Sequence, residues 1–162
     1  RHRGAPMLMD MAEEHHDRLL EKFLPRLAKE ANERKVVCGN VTHKQWISKT
    51  VSKGMKMSYV FPKTIPARIE MWICHGKEEE DVDSAHEVFK HFWSKKTEIE
   101  ASYGSSLNWN YEGRKTAFSI QQDYHDFQLS DDSKWAYWID KIVTDMKKLD
   151  NALIPHYINS RN

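Results

Sequence analysis

At 162 residues and 19.2 kDa, with 40% hydrophobic and 30% charged residues, the chain fits one globular domain that withdraws roughly two-thirds of its extended surface from water. No run approaches the roughly 18 apolar residues of a membrane span, and Asp10, Glu13 and Glu14 interrupt any secretion signal that the basic opening RHRGAPM begins. A net charge of +1 excludes a uniformly basic or acidic protein, and two cysteines, Cys38 and Cys74, exclude a disulfide framework. These totals predict a cytoplasmic protein with reduced thiols, no membrane contact, and neither a metal nor a cofactor required for folding. Residues 1–14 are expected to be a disordered or non-native lead-in, with Met7 a natural start, and residues 15–158 a single α+β domain.

The first element is a helix. From His15 to Ala31, apolar side chains recur at Leu19, Leu20, Phe23, Leu24, Leu27, Ala28 and Ala31, one buried stripe, with Pro25 expected to kink or divide it. Cys38 to Thr42 reads as a loop. In QWISKTVSKGMKMSYVF, a two-residue turn at Lys53 and Gly54 sets Ser52 opposite Met55 and Trp46 opposite Phe61. That register puts Trp46, Met55, Met57, Tyr59 and Phe61 on the core face, leaving Ile47, Lys49, Val51, Lys56, Ser58 and Val60 on the other. ARIEMWIC is a third strand, with Arg68, Glu70, Trp72 and Cys74 on its polar side.

Asp83 or Ser84 is expected to cap the second helix, with Glu87 completing a capping box, and Gly104 to stop it. LNWNYEGRKTAFSIQ forms a second hairpin turning at Glu112 and Gly113. A last helix runs from about Asp132 or Ser133, through Trp135, Ile139, Ile142, Val143, Met146 and Leu149, to a stop at Pro155. The order α-β-β-β-α-β-β-α, with strands joined by tight turns and three one-sided helices, predicts a two-layer α+β sandwich: three helices on a five-stranded, mainly antiparallel sheet. Its open face would carry Lys49, Lys56, Ser58, Arg68, Glu70, Trp72, Asn108, Asn110, Lys115, Ser119 and Gln121.

Taken in order, QWIS, MSYVF, ARIEMWI, EVFKHFWSKKTEIEASYGSSLNW, GRKTAFSI and WAYWIDKIVTDMKKLDNALIPHYI resemble the prokaryotic family known as domain of unknown function 4268, from about Trp46 to Ile158. The resemblance implies a small module that stands alone or follows a nuclease-type domain with a PD-(D/E)xK core, in defence or DNA-processing surroundings. It brings no active site to transfer. The first turn, SKTVSKG, departs from the more glycine-rich turn usual in the family.

Charge is distributed unevenly. Arg34, Lys35, Lys44, Lys49, Lys53, Lys56, Lys63 and Arg68 occur between Arg34 and Ile69 without one acid, and KEEEDVD follows almost at once. Lysines on an edge strand protect against sheet aggregation, but eight cations exceed that need and point to an anionic partner. A nuclease of the PD-(D/E)xK type needs Glu-x-Lys near a strand, and Trp72 stands where Glu70 would require lysine, so no such activity is expected. Glu70, between Arg68 on its own strand and Lys56 on the neighbouring one, reads as a solvated cross-strand ion pair rather than a general acid or base. Cys38, His43, Cys74 and His75 lack the compact spacing of a zinc loop, and neither His15 with His16 nor His86 with His91 has the i, i+4 spacing of a helical metal pair. Trp72 is either a platform for a base or a ring covered by the N-terminal segment or a second subunit.

The resulting expectation is a non-enzymatic module that binds DNA or RNA through phosphate contacts from Lys49, Lys53, Lys56, Arg68 and Lys115, with Trp72 stacking. Its partner would be a nuclease-type domain. Two alternatives stay open: a homodimerisation or protein-interaction domain using the basic 34–69 segment, and an enzyme acting on a small anionic substrate around Arg68 and Glu70.

Overall fold

In a computed structural model, described over residues 4–111 and 116–157, helices cover one face of an antiparallel five-stranded sheet. Helix α1 spans Gly4–Glu33. Strands β1 (Trp46–Ser52), β2 (Met55–Val60) and β3 (Ala67–Cys74) follow, then helices α2 (Glu79–Ser94) and α3 (Lys96–Tyr103). Strands β4 (Asn108–Asn110) and β5 (Ala117–Tyr124) and helix α4 (Trp135–Leu153) complete the domain, and the strand order is β1-β2-β3-β5-β4. The α+β class, the five-stranded antiparallel sheet and the order of strands along the chain are those predicted, but a fourth helix is present because the middle helix is split in two. The core lies between sheet and helices, where Ile47, Met57, Tyr59, Ile69, Met71, Ile73 and Ile120 meet the stripes of α1, α2 and α4.

Helix α1 departs from expectation at both ends. It is already helical at Gly4, so residues 4–14 are helix where a lead-in was expected, and it continues through Pro25, which sits on the exposed side. A proline there removes one backbone donor but crowds no packed neighbour, so the apolar stripe of Leu20, Phe23, Leu24 and Leu27 holds the helix together. The C-terminus closes without glycine: Lys35 adopts a left-handed φ of 57°, and the Val36 N–H donates to the Ala31 carbonyl at 2.8 Å. Arg34 then bonds Asp140 (3.0 Å) and Thr144 (2.7 Å) on α4, which ties the two helices together.

Two helix starts and stops also differ. Helix α2 begins earlier than Ser84, with Glu79, Glu80 and Asp81 in its first turn and the Glu78 N–H donating to the Asp81 carboxylate at 3.3 Å. Three acids at the positive end of the helix dipole supply the start instead of the expected serine cap. The Ser84 hydroxyl bonds His75 Nδ1 at 2.6 Å. The single helix predicted up to Gly104 is two, because Lys95 leaves helical geometry (φ −109°, ψ 14°), while Gly104 ends α3 with φ 101° as expected. Trp93, on α2, is 46% exposed, edge-on to Trp109 and beneath the Lys96 ammonium.

The decisive difference is in the first hairpin. Ser52 pairs with Met55 as predicted and Gly54 has a positive φ of 71°, but Thr50 pairs with Lys56, so Val51 is an extra residue and the register shifts by one. Every β1 residue before the bulge changes face. Ile47 opposes Tyr59 in the core at 1% exposure, while Trp46 opposes Val60 on the other side at 40%. The outer edge of β1 is backed by the loop after α1: a Cβ on Gly39 would collide with the Ser48 carbonyl, so only glycine permits that approach.

Candidate functional site

The face of the sheet opposite the helix-bearing one is organised in cross-strand rows, because residues paired across strands share a side. One row reads Trp46, Val60, Arg68, Asp123. The next reads Ser48, Ser58, Glu70, Gln121, Asn108, and the third Thr50, Lys56, Trp72, Ser119, Asn110. Trp46 and Trp72 thus stand at opposite corners, two strands apart (about 9.5 Å) and four residues apart along the strands (about 13 Å), with the serine–glutamate row between them. The space they bracket is a hollow of about 280 Å³, lined by the two indoles with Ser48, Lys56, Ser58, Val60, Arg68 and Glu70.

Its floor is polar yet buried. Arg68 Nε donates to Glu70 Oε1 at 2.6 Å, and the two side chains are only 15% and 5% exposed. Among the described residues, neither Glu70 Oε2 nor the two Arg68 Nη groups has a hydrogen-bond partner. The Ser48 and Ser58 hydroxyls bond each other at 2.8 Å, and across the sheet Ser119 donates to Gln121 (2.6 Å), Gln121 to Asp123 (2.7 Å) and Asn108 to Asp123 (3.2 Å). Polar side chains that fill one another's valences in this way can be buried at little cost and hold a fixed shape. At the rim, the Lys56 ammonium lies 5.9 Å from the centre of the Trp72 ring, and His43 stacks on Trp46 with an interplanar angle of 14°.

The structure unites three of the six residues predicted for the interface: Lys56, Arg68 and Trp72. Lys53 is exposed at the hairpin tip, beyond the row of Lys56 and Trp72; burial of the His75 ring and, after it, the nearby Lys53 charge lower the pKa of His75. Lys49 is a correction. It pairs with Met57, a buried core residue, so the bulge has moved it to the helix side of the edge strand. Lys115 lies outside the described residues. Trp46, assigned to the core from sequence, is the site residue that reading missed, and only the bulge reveals it.

The cations do not form one patch. Within the three rows Lys56 and Arg68 are balanced by Glu70 and Asp123, and Arg34 is committed to α4. Among the described residues, what the face offers is two partly exposed indoles, a polar floor and one lysine, Lys56, without an acidic partner.

A second polar cluster lies at the end of β5. Buried Asp145 accepts from the Tyr124 hydroxyl (2.8 Å) and from Lys141 (3.2 Å), with Lys148 at 3.7 Å. Burial, and then Asp145 itself, push the Tyr124 pKa up, so the phenol stays protonated and donating. With its carboxylate satisfied, this cluster pins α4 to the sheet. Cys38 and Cys74 are free thiols, and burial raises that of Cys38 to a pKa of about 11.

Among the described residues no helix is long and apolar enough to cross a membrane. No curated protein and no solved structure matches the chain. A family model does, over residues 18–157, covering every strand and most of the helical layer, and on that match the chain belongs to the family described as domain of unknown function DUF4268.

Proposed function

We propose that this domain is a non-enzymatic nucleic-acid-binding module that takes unpaired bases on its open sheet face. The carrying observation is the hollow between Trp46 and Trp72, with Lys56 at its rim. Flat apolar rings spaced over a sheet, with polar groups between them, suit bases splayed out from a single strand; a duplex hides those ring faces in its own stack. Trp72 and Trp46 stack bases, while Lys56 and Lys53 meet phosphate and Arg68 stays in the floor beneath the bases. With the formal charge of the three rows balanced, stacking rather than counterion release supplies most of the affinity. The family resemblance adds the setting: an accessory to a nuclease-type enzyme in DNA processing or defence, in the prokaryotic cytoplasm.

Fluorescence anisotropy with a labelled 12-nucleotide single strand and the matching duplex tests the reading. The single strand should bind more tightly and quench tryptophan emission, and Trp72→Ala should weaken it about 5- to 100-fold. A salt slope near −1 to −2 is expected, since about two phosphates are neutralised at about −0.7 each. Equal binding of duplex and single strand, or unchanged binding by a Trp46→Ala, Trp72→Ala double variant, overturns it.

The same hollow favours a second reading, a site for a small anion held by the free Nη groups of Arg68 beside Glu70. Calorimetric titration with inorganic phosphate and nucleoside monophosphates separates the two, because a small-anion site saturates with phosphate alone. The homodimer reading draws no support from a segment in which Arg34 and Arg68 already have partners and Lys49 and Lys56 face opposite sides.

A further inference from the structure

The floor of the hollow has an order of donors and acceptors that discriminates among bases. Glu70 Oε2 has no hydrogen-bond partner among the described residues, in a side chain only 5% exposed and lining the cavity. Its neighbour on the same strand and face, Arg68, is engaged through Nε alone, so its Nη donors are unspent. Ser48 and Ser58 use one of their two hydroxyl protons on each other. A planar ligand standing on the serine–glutamate row therefore meets a carboxylate acceptor on one side and a guanidinium donor immediately beside it.

The four bases answer that pair differently, by their edges. Guanine carries two adjacent donors, N1–H and the N2 amino group, followed by the O6 acceptor; the donors suit the carboxylate and O6 suits the guanidinium. Adenine and cytosine turn a bare ring nitrogen toward the carboxylate, next to a single amino group. Uracil and thymine have one donor flanked by two carbonyl oxygens that the carboxylate repels. Burial sharpens the choice, because a bound base covers the floor, and a polar group left unmatched beneath it costs more than in water.

Resting on the reading of this face as a base-binding surface, we propose that the hollow between Trp46 and Trp72 is a guanine pocket, in which Glu70 reads N1–H and N2 while Arg68 reads O6. The source of the guanine is either an unpaired residue in a nucleic-acid strand or a free guanine nucleotide, and the experiment distinguishes them.

Full-length protein is titrated with four 9-nucleotide single strands, each a thymine tract carrying G, A, C or T at the centre, and separately with the four 5′-monophosphates, following tryptophan fluorescence. The guanine strand should bind about tenfold or more tightly than the other three. Replacing its guanine by inosine, which lacks only the N2 amino group, should remove a large part of that preference with the protein unaltered. Glu70→Gln, which keeps the side-chain volume, should bring the guanine strand to the level of the others. If all four strands bind alike, the guanine assignment is overturned while nucleic-acid binding stands. If GMP alone binds, the guanine pocket stands and the strand reading falls. If neither strands nor monophosphates bind, both fall.

Discussion

The two faces of the sheet are built from the same five strands and solve burial in opposite ways. On the helix side, Ile69, Met71, Ile73 and Ile120 are sealed by apolar stripes of α1, α2 and α4, and packing supplies the stability. On the other side Ser58, Glu70, Ser119 and Gln121 are nearly as hidden, yet each has at least one side-chain hydrogen-bond partner, and large rings stand at the corners. An apolar face tolerates any partner of the right shape. A buried polar face has a fixed pattern of donors and acceptors, and where a valence is left open, as at Glu70 Oε2, it can recognise something. Packing against the helices thus supplies stability on one side of the sheet, and the proposed recognition uses the other.

The largest test asks what each face is worth. Breaking the Arg68–Glu70 pair from one side, with Glu70→Leu, strands a guanidinium that is 15% exposed and should cost about 3–5 kcal/mol in urea unfolding. Arg68→Met with Glu70→Leu should return most of that loss, because the expense lies in the unpaired charge. If the double variant is as unstable as the single, the pair is not the isolated unit drawn here. On the helix face, Ile120→Ala should cost about 2–5 kcal/mol through the cavity left behind. Trp72→Ala on the open face should cost less, about 1–2 kcal/mol, since its ring is only partly buried and its nearest cation is held by a cation–π contact. Equal losses at Ile120 and Trp72 would make the open face a second core.

These contrasts show why the sequence was legible on some strands and not on β1. In β3 and β5 strict alternation sorts Arg68, Glu70 and Trp72 from Ile69, Met71 and Ile73, and Ser119 and Gln121 from Phe118 and Ile120, with no irregularity to disturb the count. In WISKTVS, alternation supports two registers, since Trp46 and Ile47 are both apolar and adjacent, and the turn at Lys53 and Gly54 fixes only the end nearest to it. One extra residue at Val51 then exchanges Trp46 for Ile47 and removes Lys49 from the face. The stop at Lys35 and the break at Lys95 were hidden for a related reason: lysine has no conformational signature like that of glycine, so tertiary contacts alone place them. Partnership was invisible too. Eight cations in thirty-six residues read as a patch until the fold commits Arg34 to Asp140 and Arg68 to Glu70.

A smaller effect probes the bulged hairpin that sets the two faces. Gly54→Ala places a Cβ where φ is 71° and against the His75 ring, so a loss of about 1–2 kcal/mol is expected from backbone conformation alone. Gly104→Ala, at φ 101° with nothing near the added carbon, provides the control for strain without a clash. A Gly54 variant no less stable than the Gly104 variant would mean that the His75 contact yields freely and that the hairpin tip does not anchor the register.

The smallest effect sharpens the contrast between acids on the two sides. Glu70 and Asp123 accept hydrogen bonds on the open face, whereas Asp150, in the last turn of α4, is half-buried with no side-chain donor among the described residues. Burial raises its pKa above the usual 3.8, and it sits at the negative end of the helix dipole, so both influences disfavour the ionised form. The native state therefore holds this proton to higher pH than the unfolded chain does, and stability falls as pH rises from 3.8 through the raised value. Asp150→Asn removes that loss: the urea midpoint should rise at pH 7 and the gain should vanish below pH 3.8. A midpoint that instead drops at pH 7 would mean that the carboxylate is held by a donor, as Asp145 on the same helix is held by Tyr124 and Lys141.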